Sequence, residues 1–208
     1  MILESEDNYL RNKILNAIVE NPEIIVMLKE KYVDEELWKF CIEREPSLFK
    51  KMKHPTEAIC MYACEVDGAN LRWVKNKFSY IAITPGMAYT AVKSNPKAIL
   101  WVPKRLLNYA LMEMAFDRDP SLMDHFDDIR PEYLKKLLKN QPQAIQYVKN
   151  PDENLICDAI IDSPNICVYL NHITDKMLHT LETYHPGYYA LYWKASSDYN
   201  ESLKDKLL

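Results

Sequence analysis

Cysteine and histidine residues are the first candidates for chemistry in this sequence. Cys60 and Cys64 are four residues apart, so a helix would place both on one face and could present two thiolates to a metal ion. The alternative is that both are small apolar core residues. No second Cys or His pair stands nearby, and His172, His179 and His185 lack the HExxH spacing. We therefore favour core cysteines and predict neither a metal ion nor another cofactor.

An acidic cluster around His125 is the second candidate, and its members are Asp117, Asp119, Asp124, Asp127 and Asp128. Carboxylates beside a histidine could perform acid–base catalysis or bind a divalent ion, but the order of a calcium-binding loop is missing. A solvated face, or an intramolecular partner for basic repeats, is the favoured interpretation. The chain also lacks a Walker loop, a GxSxG motif and a dinucleotide fingerprint. We predict that the protein is not an enzyme.

These residues belong to a longer pattern that is repeated eight times. The segment AVKSNPKAILWV, from Ala91 to Val102, reads as the end of one helix, a corner at Pro96 and the start of a second helix. Corners follow each other at intervals of 22 to 28 residues, a period typical of a solenoid. The corner residues are Pro22, Pro46, Gly68, Pro96, Pro120, Pro142, Pro164 and Pro186.

Each repeat carries the signals of a first helix and a second one. Four and eight residues before the corner, apolar side chains form a stripe, and five before it stands a mostly small residue such as Ala91 or Ala115. Apolar residues resume three and six residues after the corner, as at Ile99 and Val102. The fold class predicted is all-α, an α-solenoid of about eight helical hairpins with a period near 22–24 residues. Twelve residues before the corner, the predicted N-caps are Asp34, Thr56, Thr84, Asn108, Asp152 and Thr174.

The segment from Ala91 to Ile99, AVKSNPKAI, and its echo from Ala17 to Ile25 resemble a known family. This is the tandem helical-hairpin repeat family of unknown function, found in phage, bacterial and protist proteins. Its units read roughly Ala-Val-x-x-Asn-Pro/Gly-x-Ala-Ile/Leu. The match is close in the first four repeats and looser in the later ones, where Leu137 and Leu181 replace the small residue. The resemblance implies an α-helical array and supplies neither a catalytic residue nor a ligand.

We expect one helical-repeat domain over residues 1–208, with a polar C-terminal tail over residues 196–208. The last repeat receives Glu182 in an otherwise apolar column, as suits a terminal repeat without a neighbour. No run approaches the roughly 18 apolar residues of a membrane span, and the start of the chain lacks the order of a signal peptide. Five Cys, mostly in apolar columns, suit a reducing compartment. A cytoplasmic protein without membrane contact is predicted.

Positive charge is concentrated in the middle of the chain. Residues 50–105 carry 10 basic and 3 acidic groups, whereas both flanks are acidic and the whole chain has a net charge of −4. The longest interval, from Gly68 to Pro96, adds six residues around 77–83 within this basic segment.

The position five residues after the corner holds mostly large side chains, which we call the ladder position: Met27, Lys51, Trp73, Trp101, His125, Tyr147, Tyr169 and Leu191. One interpretation is a packing seam between repeats, and the other is a groove of aromatic anchors for a partner. Basic residues flank the ladder in repeats three and four. The predicted partner-binding residues are Trp73, Lys75, Lys97, Trp101, Lys104, Tyr147 and Tyr169.

Two functions are compatible with this surface. The first is a protein-interaction module whose partner has an acidic or helical surface, and the phage members of the resembling family suggest a phage-encoded factor that binds and inhibits or redirects a host protein. The alternative is a nucleic-acid binder that uses Lys for phosphates and Trp73 and Trp101 for base stacking. A pI of about 5.8 argues against the alternative, because the acidic flanks would repel a long polyanion.

Overall fold

The computed structural model describes residues 2–190, with side chains from residue 9 onward. Every regular element in this part of the chain is a helix, which confirms the predicted all-α fold class. The predicted polar tail over residues 196–208 lies outside the described residues. The α-helices are α1 Ile2–Glu20, α2 Glu35–Arg44, α3 Glu57–Val66, α4 Leu71–Asn76, α5 Pro85–Ser94, α6 Tyr109–Phe116, α7 Pro131–Asn140, α8 Glu153–Asp162 and α9 Asp175–Tyr184.

All six predicted N-caps begin an α-helix in the structure. Each side-chain oxygen accepts a hydrogen bond from a main-chain N–H of the first turn, which otherwise has no partner within the helix. The Asp34 carboxylate accepts from Leu37 N at 2.9 Å, and the Asn108 amide oxygen accepts from Leu111 N at 3.0 Å. These six α-helices therefore begin where the local sequence predicts.

The second helix of the hairpin differs from the expectation. In six repeats it is a six-residue 3₁₀ helix with Pro as its first residue, and we call these elements the corner helices: Pro22–Met27, Pro46–Lys51, Pro96–Trp101, Pro120–His125, Pro142–Tyr147 and Pro164–Tyr169. The apolar residues three and six after the corner fit this form, because side chains three apart eclipse in a 3₁₀ helix.

Two repeats make the second helix differently. Repeat three has a three-residue 3₁₀ helix, Gly68–Asn70, that leads directly into α4, and residues 186–190 of the last repeat are α-helical. Two further short 3₁₀ helices, Glu30–Tyr32 and Lys104–Leu106, lie in the connections to the next repeat.

The described helices belong to two compact units, Met1–Asp119 and Pro120–Leu208. In the first unit α2 packs on α3, α3 on α5 and α5 on α6; in the second, α7 packs on α8 and α8 on α9. The residue four positions before the corner is buried in each of the first seven repeats, from Ile18 in the first to Ile160 in the seventh. The corresponding residue of the last repeat, Glu182, is exposed. The structure thus shows packing between successive repeats within each unit. The solenoid arrangement and the single domain stay predictions.

The six-residue insertion places Phe78 and Ile83 in the core of the first unit. Phe78 is 1% exposed, and its ring lies edge-on to Phe49 of the preceding repeat, with 5.2 Å between the ring centroids. The Tyr80 hydroxyl donates to the carbonyl of Pro55 at 3.3 Å. The insertion therefore contacts repeat two, where the Phe78 ring packs against Phe49 while Tyr80 stays 62% exposed.

Candidate partner-binding surface

Trp73 and Trp101 lie on two elements that pack together. Trp73 is in α4, Trp101 ends the corner helix Pro96–Trp101, and these two helices are in contact. Both indole side chains are half-buried. The Arg72 guanidinium stands 4.4 Å from the centroid of the Trp73 ring, a cation–π distance. The structure therefore brings the two predicted tryptophans to neighbouring helices, where each retains an accessible portion.

The three predicted lysines are exposed and have no partner among the described residues. Lys75 is in the last turn of α4, Lys97 is the second residue of its corner helix, and Lys104 begins the 3₁₀ helix Lys104–Leu106. Since a lysine ammonium group has three donors, these side chains keep their full capacity to bind an anion.

Other cations of the basic segment are already engaged. Lys51 pairs with Glu23 at 2.8 Å and Lys53 with Glu30 at 3.4 Å. Lys77 donates to the carbonyls of Met52, at 2.9 Å, and Lys50. Arg105 donates to the carbonyl of Ile83 at 3.3 Å. These cations therefore make contacts within the fold. The three predicted lysines are among the cations that stay available to bind a partner.

The ladder position has a consistent place in the structure. It is the last residue of every six-residue corner helix, and its described members are all half-buried or exposed. In the second unit, Tyr147 is 37% exposed and Tyr169 is half-buried, on corner helices that contact each other. Leu191 lies outside the described residues. Partial exposure is compatible with both a packing seam and a row of anchors, so the role of the ladder stays a prediction.

The cysteines and the acidic cluster occupy different environments. Cys60 and Cys64 are fully buried, and burial raises the pKa of both thiols from 9.0 to about 12. They are protonated core residues rather than thiolates at neutral pH. Asp124, His125 and Asp127 are exposed, and Asp127 pairs with Lys149 at 3.2 Å. Within the described residues, no group of three His, Cys, Asp or Glu side chains is placed to hold a metal ion.

A set of contacts between repeats was missed by the sequence reasoning. Arg44 donates to the carbonyl of Val19 at 2.8 Å, and Arg118 donates to that of Lys93 at 2.6 Å. Each carbonyl lies in the last turn of the preceding repeat's helix, where main-chain oxygens lack partners and the helix dipole favours a cation. Both arginines stand two residues before a corner, so this shared position was the available signal.

The described chain is thus an all-α protein built from capped α-helices and short corner helices. In this part of the chain, no helix combines the length and apolar character that a membrane span requires. Comparison with protein-family models finds no match, and comparisons with curated proteins and with solved structures find none either.

Proposed function

We propose that this protein is a protein-interaction module that binds an acidic partner through the surface formed by Trp73, Lys75, Lys97, Trp101 and Lys104. One observation carries the proposal: three exposed lysines without a partner among the described residues flank two half-buried indoles in the same unit. A tryptophan whose body is held by the core and whose edge is accessible loses little side-chain entropy on binding. Such residues are frequent among the anchors that dominate protein interfaces.

The lysines supply selectivity rather than most of the affinity. Exposed cations at the rim of an interface steer an acidic partner and discriminate against basic ones, while a buried ring supplies most of the binding free energy. The proposal has a more specific form, based on the sequence resemblance to repeats that occur in phage proteins. In that form the protein is a phage-encoded factor that binds and inhibits or redirects a host protein in the cytoplasm. Five free, buried cysteines support that location.

The test compares two substitutions after capture of a partner from candidate host cells and its identification by mass spectrometry. We expect Trp101→Ala to weaken binding by on the order of 2 kcal/mol. Lys97→Glu should weaken it less and reduce its salt dependence. Binding is measured by calorimetry and folding by circular dichroism. Lys136→Glu is the matched control, because Lys136 is an exposed lysine of the second unit whose ammonium group has no partner in the described part of the chain.

Two results would contradict the proposal. If Trp101→Ala unfolds the protein while Lys97→Glu leaves the affinity unchanged, the indoles are packing residues and the lysines are a solvated face. If a labelled oligonucleotide binds with a steep salt dependence that Lys75→Glu and Lys97→Glu abolish, the lysines bind phosphates and the protein is a nucleic-acid binder.

A further inference from the structure

A cleft of about 360 Å³ lies between α3 and α5, two helices of the first unit that pack on each other. Its volume falls within the roughly 300 to 1,000 Å³ of sites that bind small molecules. All of its lining residues are half-buried or exposed, which leaves the cleft open to a ligand. The lining residues are Met61 and Glu65 of α3 and Tyr89, Thr90, Lys93 and Ser94 of α5.

The corresponding seam between α7 and α8 of the second unit is closed by two ion pairs. Lys135 pairs with Asp158 at 3.2 Å, and Lys139 pairs with Asp162 at 3.7 Å. Counted from the corner of each repeat, the same positions of the α3–α5 seam do not hold opposite charges, so these ion pairs cannot form there. The residues at those positions are Met61 with Thr90 and Glu65 with Ser94.

Two opposite charges line the open cleft without pairing. Glu65 and Lys93 each stand three residues before a corner, on neighbouring helices, and both are exposed. Among the described residues, neither the Glu65 carboxylate nor the Lys93 ammonium group has a hydrogen-bond or ion-pair partner. The axes of packed helices are roughly 8 to 10 Å apart, which leaves room for a small molecule between two long side chains. A ligand that carries both a cation and an anion would give each of them a partner.

The other walls of the cleft suit an aromatic ring. Tyr89 is 54% exposed, and its ring can stack against another ring. Met61 is half-buried, and a thioether makes favourable contacts with aromatic rings. We infer that this cleft binds the zwitterion of a free aromatic amino acid, with the ammonium group on Glu65 and the carboxylate on Lys93. The ring of the ligand lies against Met61 and Tyr89.

The experiment titrates the full chain with L-phenylalanine and follows the methionine ε-methyl resonances by ¹H–¹³C NMR. Met61→Leu assigns the Met61 signal, and Met27→Leu assigns that of Met27, which is 85% exposed and outside the cleft. We expect a saturable shift of the Met61 signal and none of the Met27 signal. The analogues 3-phenylpropionate and 2-phenylethylamine each lack one charge and should bind about twofold to fivefold more weakly. L-alanine, which lacks the ring, should bind about tenfold more weakly.

Matched variants test the role of each charge. Glu65→Gln should weaken phenylalanine about twofold to fivefold and leave 3-phenylpropionate unchanged, because that analogue has no ammonium group. Lys93→Gln should weaken phenylalanine to the same extent and leave 2-phenylethylamine unchanged. Glu43→Gln is the control, because Glu43 is an exposed glutamate at the same repeat position of α2 that does not line the cleft. Equal effects of Glu65→Gln and Glu43→Gln would contradict the inference.

A double variant tests the location of the site. Met61→Lys with Thr90→Asp copies the Lys135–Asp158 pair into the α3–α5 seam while Glu65 and Lys93 stay in place. We expect this variant to bind phenylalanine more weakly than either charge substitution does, as measured on the resonances of the ligand, with folding checked by circular dichroism. If it binds phenylalanine as tightly as the parent chain, the ligand is bound elsewhere and the inference is overturned.

Three further results would overturn the inference. The first is the lack of a saturable Met61 shift up to the solubility limit of phenylalanine. The second is equally tight binding of phenylalanine and one of its singly charged analogues, which would leave one of the two charges without a role. The third is equally tight binding of N-acetyl-phenylalaninamide, which would mean that the cleft recognises the ring alone. The proposed function is not affected by these results, because no lining residue belongs to the proposed partner-binding surface.

Discussion

Gly68 and Ala91 approach so closely that only glycine fits at the corner of repeat three. A Cβ atom on Gly68 would lie 1.9 Å from the carbonyl oxygen of Ala91 and 2.9 Å from the main-chain nitrogen of Asn95. The Gly68 N–H also donates to the Ser94 hydroxyl at 3.2 Å, a bond that proline cannot make. These contacts explain why this corner alone of the eight lacks proline.

Substitution of Gly68 by alanine should therefore destabilise the protein strongly. We expect Gly68→Ala to lower the free energy of unfolding by about 3 kcal/mol, the upper part of the usual range for overpacking, because the obstacle is main chain rather than a movable side chain. Gly86→Ala is the matched control. A Cβ there meets only Met61 Cε at 3.6 Å, so alanine should be neutral or stabilise the first turn of α5 by up to about 1 kcal/mol. Urea unfolding measures both, and equal effects would contradict the close approach.

The small residue five before the corner gives a second stability prediction. Ala91 is fully buried in α5, which packs against both α3 and α6. Ala91→Leu should lower the free energy of unfolding by roughly 1 to 3 kcal/mol, since three added carbon atoms must displace packed neighbours. Ala58→Leu, at an exposed position of α3, should change stability little. An unchanged melting temperature for Ala91→Leu would place this residue on the surface.

The arginine contacts between repeats should contribute measurably to stability. Arg118→Met keeps much of the apolar stem and removes the donor to the Lys93 carbonyl, so we expect a loss of about 1 kcal/mol. Lys93→Met is the comparison, because the Lys93 ammonium group is exposed and has no partner in the described part of the chain. Urea unfolding of both variants at low and moderate salt is the measurement. If Lys93→Met lowers the free energy of unfolding as much as Arg118→Met does, the loss of a positive charge, and not the loss of the carbonyl contact, explains the destabilisation.

Stability should fall in alkaline solution because of the buried thiols. The pKa of Cys60 and of Cys64 is about 12 in the folded protein, against 9.0 for an ordinary thiol. Between these values the folded state binds more protons than the unfolded state, so the free energy of unfolding decreases as the pH rises. In that window each thiol lowers the free energy of unfolding by about 1.4 kcal/mol per pH unit. Below pH 9 it adds no pH dependence, because the thiol is protonated in both states.

A cysteine variant isolates this effect from the titration of lysine and tyrosine. The slope of unfolding free energy against pH, measured by urea unfolding from pH 8 to 11, should be shallower for Cys64→Ala than for the parent chain. Cys64→Ala also changes the free energy of unfolding at pH 8, but only the change in slope tests the prediction. Identical slopes would show that the Cys64 thiol ionises as readily in the folded state as in the unfolded state.

Local interactions explain what could be predicted from the sequence. The corners, the six N-caps and the buried columns depend on residues within about four positions of each other, and Thr84 shows this by capping Met87 N three residues away. The 3₁₀ form of the corner helices was also within reach, because Ile99 and Val102 are buried at a spacing of three. The sequence alone thus determined an all-α chain and where most of its helices begin.

Contacts between repeats decided the rest, and the side-chain hydrogen bonds among them join residues 21 to 28 positions apart. Only the tertiary structure shows that Lys77 and Arg105 are bound to carbonyls while Lys75, Lys97 and Lys104 have no described partner. Only packing shows that Phe78 is buried and that Gly68 lies against Ala91. The physical reason is that the environment of an exposed side chain depends on which residues the neighbouring repeat brings within hydrogen-bond distance, and the type of residue does not encode that.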